Sequence, residues 1–146
     1  MGKEQAGDAR DTALVRSLLR DAGYSVTAVS YYLDPPLLVI IETADPVSEM
    51  TGTCGDTIKV YLKIENDRIQ DAAYVTDGCG TSSICGSFAA ELAIGKDLDA
   101  VADINGDAVE NAIGRLPDDD RHCADLAAAA LQEALSRYMQ RTVSGE

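Results

Sequence analysis

Basic residues are scarce. The chain carries 12 Lys and Arg against 25 Asp and Glu, a formal net charge of −13. A nucleic-acid backbone or an anionic membrane needs a basic face, so neither is expected as a partner. The charge fits a basic protein partner, or simply a well-solvated acidic surface. Long hydrophobic runs are missing too: nothing approaches the ~20 apolar residues of a membrane span. The N-terminus, Met1-Gly2-Lys3-Glu4-Gln5, has no apolar h-region. No secretory signal is therefore expected, and the expected location is cytoplasmic. There is no internal repeat and no low-complexity segment. Cysteines number only four and histidine only one. In a reducing compartment four thiols do not suggest a disulfide framework, and metal binding or thiol chemistry is the better reading. No C-x-x-C pair is present, and a structural zinc site would normally show such knuckles.

What is present suits one globular domain. A chain of 146 residues can bury roughly 68–70% of its unfolded surface and needs no metal merely to fold. Composition is ordinary, with 46% apolar and 25% charged residues. Residues 1–10 are polar and expected to fray. Leu14, Val15, Leu18, Leu19 and Ala22 recur at helical spacing, with Gly23 just past the end. Tyr24 to Leu33 fits either a strand or a helical face, and Asp34-Pro35-Pro36 ends it. Leu37 to Ile41 is an unbroken apolar run and is expected to be buried. Thr43 to Thr53 can hold an irregular edge strand. Ile58, Val60, Leu62 and Ile64 then alternate with Lys59, Tyr61, Lys63 and Glu65, a strand with one wet face. Asn66-Asp67-Arg68 is turn chemistry, and Ile69, Ala73 and Val75 are expected on the inner face of the return strand. Thr81 to Ile94 has helical spacing, Asp97 to Ile104 and Asp107 to Ile113 are short helices, and Leu116 to Arg121 is an acidic loop. The last helix is expected from about His122 to Met139, with Leu126, Ala130, Leu131, Ala134, Leu135 and Tyr138 as its apolar stripe. Strands first and helices after give an α+β fold, with helices on one face of an antiparallel sheet.

The thiols have telling places on this outline. Cys54 precedes the outgoing strand, Cys79 follows the returning one at a helix start, and Cys123 opens the last helix beside His122. A hairpin brings its ends together, and a helix N-terminus stabilises a thiolate, which is both nucleophile and metal ligand. Gly55, Gly78 and Gly80 let the backbone turn tightly and approach an ion or cluster closely. Cys54, Cys79 and Cys123 with either Asp56 or His122 make a four-ligand set suited to Zn²⁺ or a [2Fe–2S] cluster. By itself Asp56 reads as a turn residue and His122 as a surface histidine. Cys85 lies about 600° around the helix from Cys79 and reads as a core residue. Asp118-Asp119-Asp120 reads as a solvated loop.

At Cys54-Gly55-Asp56, Gly78-Cys79-Gly80 and His122-Cys123 after Leu116-Pro117, in this order and spacing, the sequence resembles the U-type iron–sulfur cluster assembly scaffolds (IscU, the NifU N-terminal domain and SufU). Tyr24-Ser25 and Tyr32-Leu33-Asp34-Pro35 resemble the opening helix of that family and its Asn-Pro exit. The resemblance runs from about Tyr24 to Tyr138, which divides the chain into an N-terminal extension, 1–23, and a scaffold domain, 24–146. It implies three antiparallel strands with helices packed on one face. It also implies a transient [2Fe–2S] cluster, or Zn²⁺ in its place, held by Cys54, Cys79 and Cys123. Asp56 is then associated with cluster lability or ligation, and His122 is a possible fourth ligand. Cys123, by position, accepts persulfide sulfur from a pyridoxal-phosphate (PLP) dependent cysteine desulfurase.

The implied function is that of a scaffold and not an enzyme: it takes up iron and sulfane sulfur, assembles the cluster and passes it to apo iron–sulfur proteins. A persulfide-accepting sulfur relay of the same fold and a structural zinc-bound module are the alternatives. The sequence departs from the family in places. Family members served by an Hsp70-type chaperone carry Leu-Pro-Pro-Val-Lys where this chain has Leu116-Pro117-Asp118-Asp119-Asp120, which puts that handoff in doubt. Arg121 stands where it could partly replace the lysine. His122 and the absence of a long insertion between Cys79 and Cys123 point to IscU and NifU rather than SufU. Tyr31-Tyr32 stands where His-Phe is common.

Overall fold

The computed structural model describes residues 2–53, 55–78, 80–114 and 116–144. Its elements are α1 (Gly2–Ala22), α2 (Val26–Leu33), β1 (Val47–Thr51), β2 (Thr57–Glu65), β3 (Arg68–Thr76), α3 (Gly80–Ala93), α4 (Leu98–Ala102), α5 (Gly106–Ile113), a 3₁₀ turn (Asp118–Asp120) and α6 (Arg121–Ser144). The three strands form one antiparallel sheet in the order β1-β2-β3. Helices α3 and α6 pack across it. This is the α+β arrangement expected from the order of strands and helices.

The hairpin between β2 and β3 turns at Asn66-Asp67, both with positive φ (53° and 58°). Asn and Asp tolerate that left-handed region, and a two-residue turn of this hand matches strand twist. Ile58, Val60 and Leu62 point into the core, as the alternation predicts. The return strand departs from the expected phase. Lys63 pairs with Asp71 but Ile64 pairs with Ile69, so Gln70 is an extra residue, a bulge. One inserted residue reverses the alternation beyond it. The core face is therefore Ile69, Ala72 and Tyr74. Ala73, expected inward, is buried opposite Tyr61 on the other face, and Val75 is only half-buried.

Three other expectations change. Helix α1 extends back to Gly2 instead of beginning after a frayed decapeptide. The ambiguous segment is helix α2, started by Ser25, whose hydroxyl accepts from the amide of Ala28 and donates to the carbonyl of Ile113. The apolar run Leu37 to Ile41 is not buried: Val39 is 55% and Ile40 62% exposed. Only Leu37 of the run packs partly against the core; the run is otherwise engaged through its backbone, the Leu37 carbonyl accepting from the amide of Tyr74 at 3.0 Å and so covering the open edge of β3. A run of apolar residues specifies burial only where its side chains, not its main chain, make the contact.

The core runs from the sheet to α6. It joins Ile58, Leu62 and Ile69 with Ile84 and Phe88 of α3, Val109 and Ile113 of α5, and Leu131 and Leu135 of α6. The expected stripe of α6 faces this core, with Leu126, Ala130, Leu131, Ala134 and Leu135 all buried. Tyr138 is half-buried. Buried alanines along α6 let it lie close to the sheet, where Ser48 on β1 donates to the carbonyl of Ala130 at 2.6 Å.

Candidate functional site

The open end of the hairpin is pinned by polar contacts. Thr57 N–H donates to Asp77 Oδ1 at 2.8 Å, Thr76 Oγ1 donates to the Thr57 carbonyl at 2.7 Å, and Gly78 N–H donates back to Thr76 Oγ1 at 3.0 Å. Before β2, Gly52 N–H reaches the carbonyl of Asp56 and Gly55 N–H that of Gly52. Gly55 closes this turn with φ +91°, a conformation that L side chains rarely adopt. The two ends of the hairpin thus meet, and Asp56 lies against Gly78. A Cβ on Gly78 would sit 2.7 Å from Asp56 Cγ and 2.6 Å from Ser82 Oγ, so only glycine fits there.

The first turns of α3 and α6 meet at the same place. Ser82 Oγ, on α3, donates to Asp56 Oδ2 at 2.9 Å and lies 3.9 Å from Cys123 Sγ on α6. His122 Nε2 lies 3.6 Å from the same sulfur. Cys123 is 3% exposed, whereas the neighbouring His122 is exposed. Asp56, His122 and Cys123, three of the five residues singled out in the sequence, are therefore brought together. Cys54 and Cys79 lie outside the described residues. Among the described residues no group of three or more His, Cys, Asp and Glu side chains could by itself hold a metal ion. The donor chemistry of Asp56, His122 and Cys123 does fit iron or zinc: a thiolate, an imidazole and a carboxylate. Cys85, the fourth cysteine, is fully buried in the core through α3, as its helical offset predicts.

A tyrosine holds the two helix starts in place. The Tyr24 hydroxyl pairs with Thr81 Oγ1 at 2.6 Å and donates to Asp120 Oδ2 at 2.7 Å. Tyr24 itself is buried. Asp120 is thus no solvated acid of a loop: its carboxylate is tied to the fold one turn before Cys123, and Leu116 at the head of the same segment is buried. Arg121 turns instead to α5, where its Nε donates to Glu110 Oε2 at 2.7 Å. That hydrogen bond, and then the charge of Glu110, raise the guanidinium pKa. The site therefore gains no free cation from Arg121.

Ser82 and Tyr24 were not legible as site residues. For Ser82 the available signal was its place one turn beyond Cys79, which puts its hydroxyl near the same helix start. Tyr24 stood out only with Ser25 as part of the family resemblance, and nothing local tied it to the site, because its partners lie far away in the chain.

Comparison with known proteins places the chain in a family. The family model described as the NifU-like N terminal domain matches residues 23–144. The "Iron-sulfur cluster assembly scaffold protein IscU 1" of Archaeoglobus fulgidus is 35% identical over 119 residues, covering 81% of this chain and 78% of that protein. The "Iron-sulfur cluster assembly protein IscU" of Plasmodium falciparum is 37% identical over 93 residues, covering 64% of this chain and 57% of that one. In fold, the chain is similar to the N-terminal part of a NifU-like protein from Brucella abortus, with a TM-score of 0.68 at 18% identity, covering 84% of this chain and 99% of that one. The chain belongs to the NifU-like N-terminal domain family.

Proposed function

We propose that this protein is a scaffold, not an enzyme, on which a [2Fe–2S] cluster is assembled from iron and persulfide-derived sulfur and then passed to apo iron–sulfur proteins. Iron and sulfide are its cargo, and each sulfane sulfur becomes sulfide by taking two electrons from an external thiol reductant, which leaves as a disulfide. The observation that carries this reading is the meeting of Asp56, His122 and Cys123 where the hairpin ends and the α3 and α6 starts converge. Relatives named as an iron–sulfur cluster assembly scaffold protein and as an iron–sulfur cluster assembly protein support it. In this reading the scaffold domain is 24–146 and residues 1–23 are an extension. Cys54, Cys79 and Cys123 hold the cluster, and Asp56 or His122 is the fourth donor. Asp56, a hard oxygen donor among soft thiolates, keeps the cluster labile.

The sulfur donor is a PLP-dependent cysteine desulfurase. The Cys123 thiolate attacks the outer sulfur of the desulfurase persulfide; a new S–S bond forms, the old one breaks, and the desulfurase thiolate leaves. The first turn of α6 favours that thiolate. No Hsp70-type handoff is proposed, because Asp120 stands where the chaperone motif has its lysine and its carboxylate is tied to Tyr24. No helix among the described residues is long and apolar enough to cross a membrane, and the proposed compartment is the cytoplasm.

Anaerobic reconstitution with iron, cysteine, a desulfurase and a thiol reductant, followed by visible absorption, tests the reading. Cluster bands are expected in wild type and in Cys85→Ala, strongly reduced bands in Cys79→Ala, and a longer-lived cluster in Asp56→Ala. No bands in wild type, or undiminished bands in Cys79→Ala, overturn it. Persulfide on one cysteine with no metal uptake would point to a sulfur relay instead.

A further inference from the structure

We propose that Ser82 is a positioning residue for the cargo site: its single hydroxyl proton holds the Asp56 carboxylate in place and couples it to Cys123. This rests on the scaffold reading above. Ser82 is buried, and serine hydroxyls inside a helix usually turn back to the main chain. This one turns across to another element, donating to Asp56 Oδ2 at 2.9 Å, with Cys123 Sγ 3.9 Å away. The two acceptors compete for one proton. The carboxylate wins on distance and on charge, since hydrogen bonds to an ionised acceptor are the stronger ones.

Two consequences follow for Asp56. With Oδ2 held, the carboxylate is fixed in one rotamer, and among the described residues nothing donates to Oδ1. Among the described residues, then, one oxygen of the group is committed and the other is not. Gly78 completes the restraint from the other side, since any side chain there would displace both Ser82 Oγ and the Asp56 carboxylate. When cargo draws Asp56 away, the proton of Ser82 is freed for the Cys123 sulfur. Ser82 thereby links the oxygen donor to a sulfur donor carried on a different helix.

The test is a double-mutant cycle on cluster lifetime, using Asp56→Ala, Ser82→Ala and the double variant. Each is loaded anaerobically with iron and sulfide, and the decay of visible absorption is timed. Ser82→Ala is expected to change the lifetime in the same direction as Asp56→Ala, by about two- to tenfold, the worth of one hydrogen bond. In the double variant, Ser82→Ala should change the lifetime less than it does in wild type, because only the longer contact to Cys123 Sγ remains to be lost. A merely structural serine would lower the melting temperature, and its effect would add to that of Asp56→Ala. An unchanged lifetime in Ser82→Ala, or additive effects, overturns the inference while leaving the scaffold reading intact.

Failure of wild type to take up a cluster overturns the scaffold reading instead. In that case the hydroxyl proton of Ser82 in the apo protein, observed by NMR, decides. Slow exchange in wild type that becomes fast in Asp56→Ala supports the positioning contact, and fast exchange in wild type overturns it.

Discussion

Replacing Tyr24 by Phe removes one oxygen and should loosen three elements at once. The hydroxyl lies 2.6 Å from Thr81 Oγ1 at the start of α3 and 2.7 Å from Asp120 Oδ2 in the turn before α6. The neutral bond contributes about 0.5–1.5 kcal/mol net, and the bond to the carboxylate about 1.5–3 kcal/mol where it is desolvated. Asp120 is half-buried and regains water when released, so the lower ends apply. The expected total is about 2 kcal/mol. In a domain of this size that lowers the melting temperature by about 4–8 °C. Urea denaturation followed by circular dichroism measures it, with the midpoint falling and the m-value unchanged. A cycle with Asp120→Ala should recover about 1 kcal/mol of coupling. Because the contact holds the turn that leads into Cys123, alkylation of Cys123 by iodoacetamide should also quicken. A loss below about 0.5 kcal/mol, with no coupling to Asp120, would refute the reasoning. Burial of Leu116 alone would then hold the segment.

Gly86→Ala tests how closely α3 approaches the sheet. Its Cβ would lie 2.5 Å from Tyr74 Cδ2, and Tyr74 is held by bonds from its hydroxyl to the Ser83 carbonyl and to Ser87. Overpacking of about 1–3 kcal/mol should outweigh the ~1 kcal/mol gained in helix propensity, so the urea midpoint falls; a rise would refute it. Tyr31 donates to Glu91 Oε2, and that hydrogen bond first, then burial and the charge of Glu91, raise its phenol from 10.0 to about 12. A raised phenol contributes stability that is full below pH 10 and lost as pH rises through 12. Tyrosinate absorbance should therefore lag at alkaline pH, and Glu91→Gln should shorten the lag; an unchanged lag would refute it. Chelation of bound metal should leave the melting temperature within a few degrees of its starting value, whereas a zinc-built domain would unfold.

The parts of the fold that could be read from sequence are those where one period governs a whole element. The alternation from Ile58 to Glu65 and the stripe from Leu126 to Leu135 both face the core as expected. The inner face of β3 was not legible, because one inserted residue, Gln70, reverses the phase without altering composition. The Leu37 to Ile41 run misled because its contact with β3 is a main-chain bond, which side-chain hydropathy does not encode. At the site, residue type and spacing picked out Asp56, His122 and Cys123. The groups that join them, Ser82 and Tyr24, act through hydrogen bonds across long sequence separations. Such bonds leave no periodic trace.

That division between legible and hidden parts has a physical counterpart in how the molecule is held together. The core from Ile58 to Leu135 is apolar and reaches the site at Cys123 and Tyr24, both of which pack in it. The site stands at one end of it, fastened by polar bonds: Thr57 to Asp77, Ser82 to Asp56, Tyr24 to Thr81 and Asp120. Each is worth only about 0.5–3 kcal/mol against a total stability of about 5–15 kcal/mol. Local opening at this end therefore costs much less than unfolding. On the proposed function, Cys123, 3% exposed, needs such an opening to meet a persulfide donor. A site fastened only by core packing would, on that proposal, be too rigid to admit sulfur and release a cluster. One built without a metal-independent core would unfold each time its cargo left. Polar fastening on an apolar body answers both demands, and it accounts for Asp120 being tied to Tyr24 in the segment that leads into Cys123.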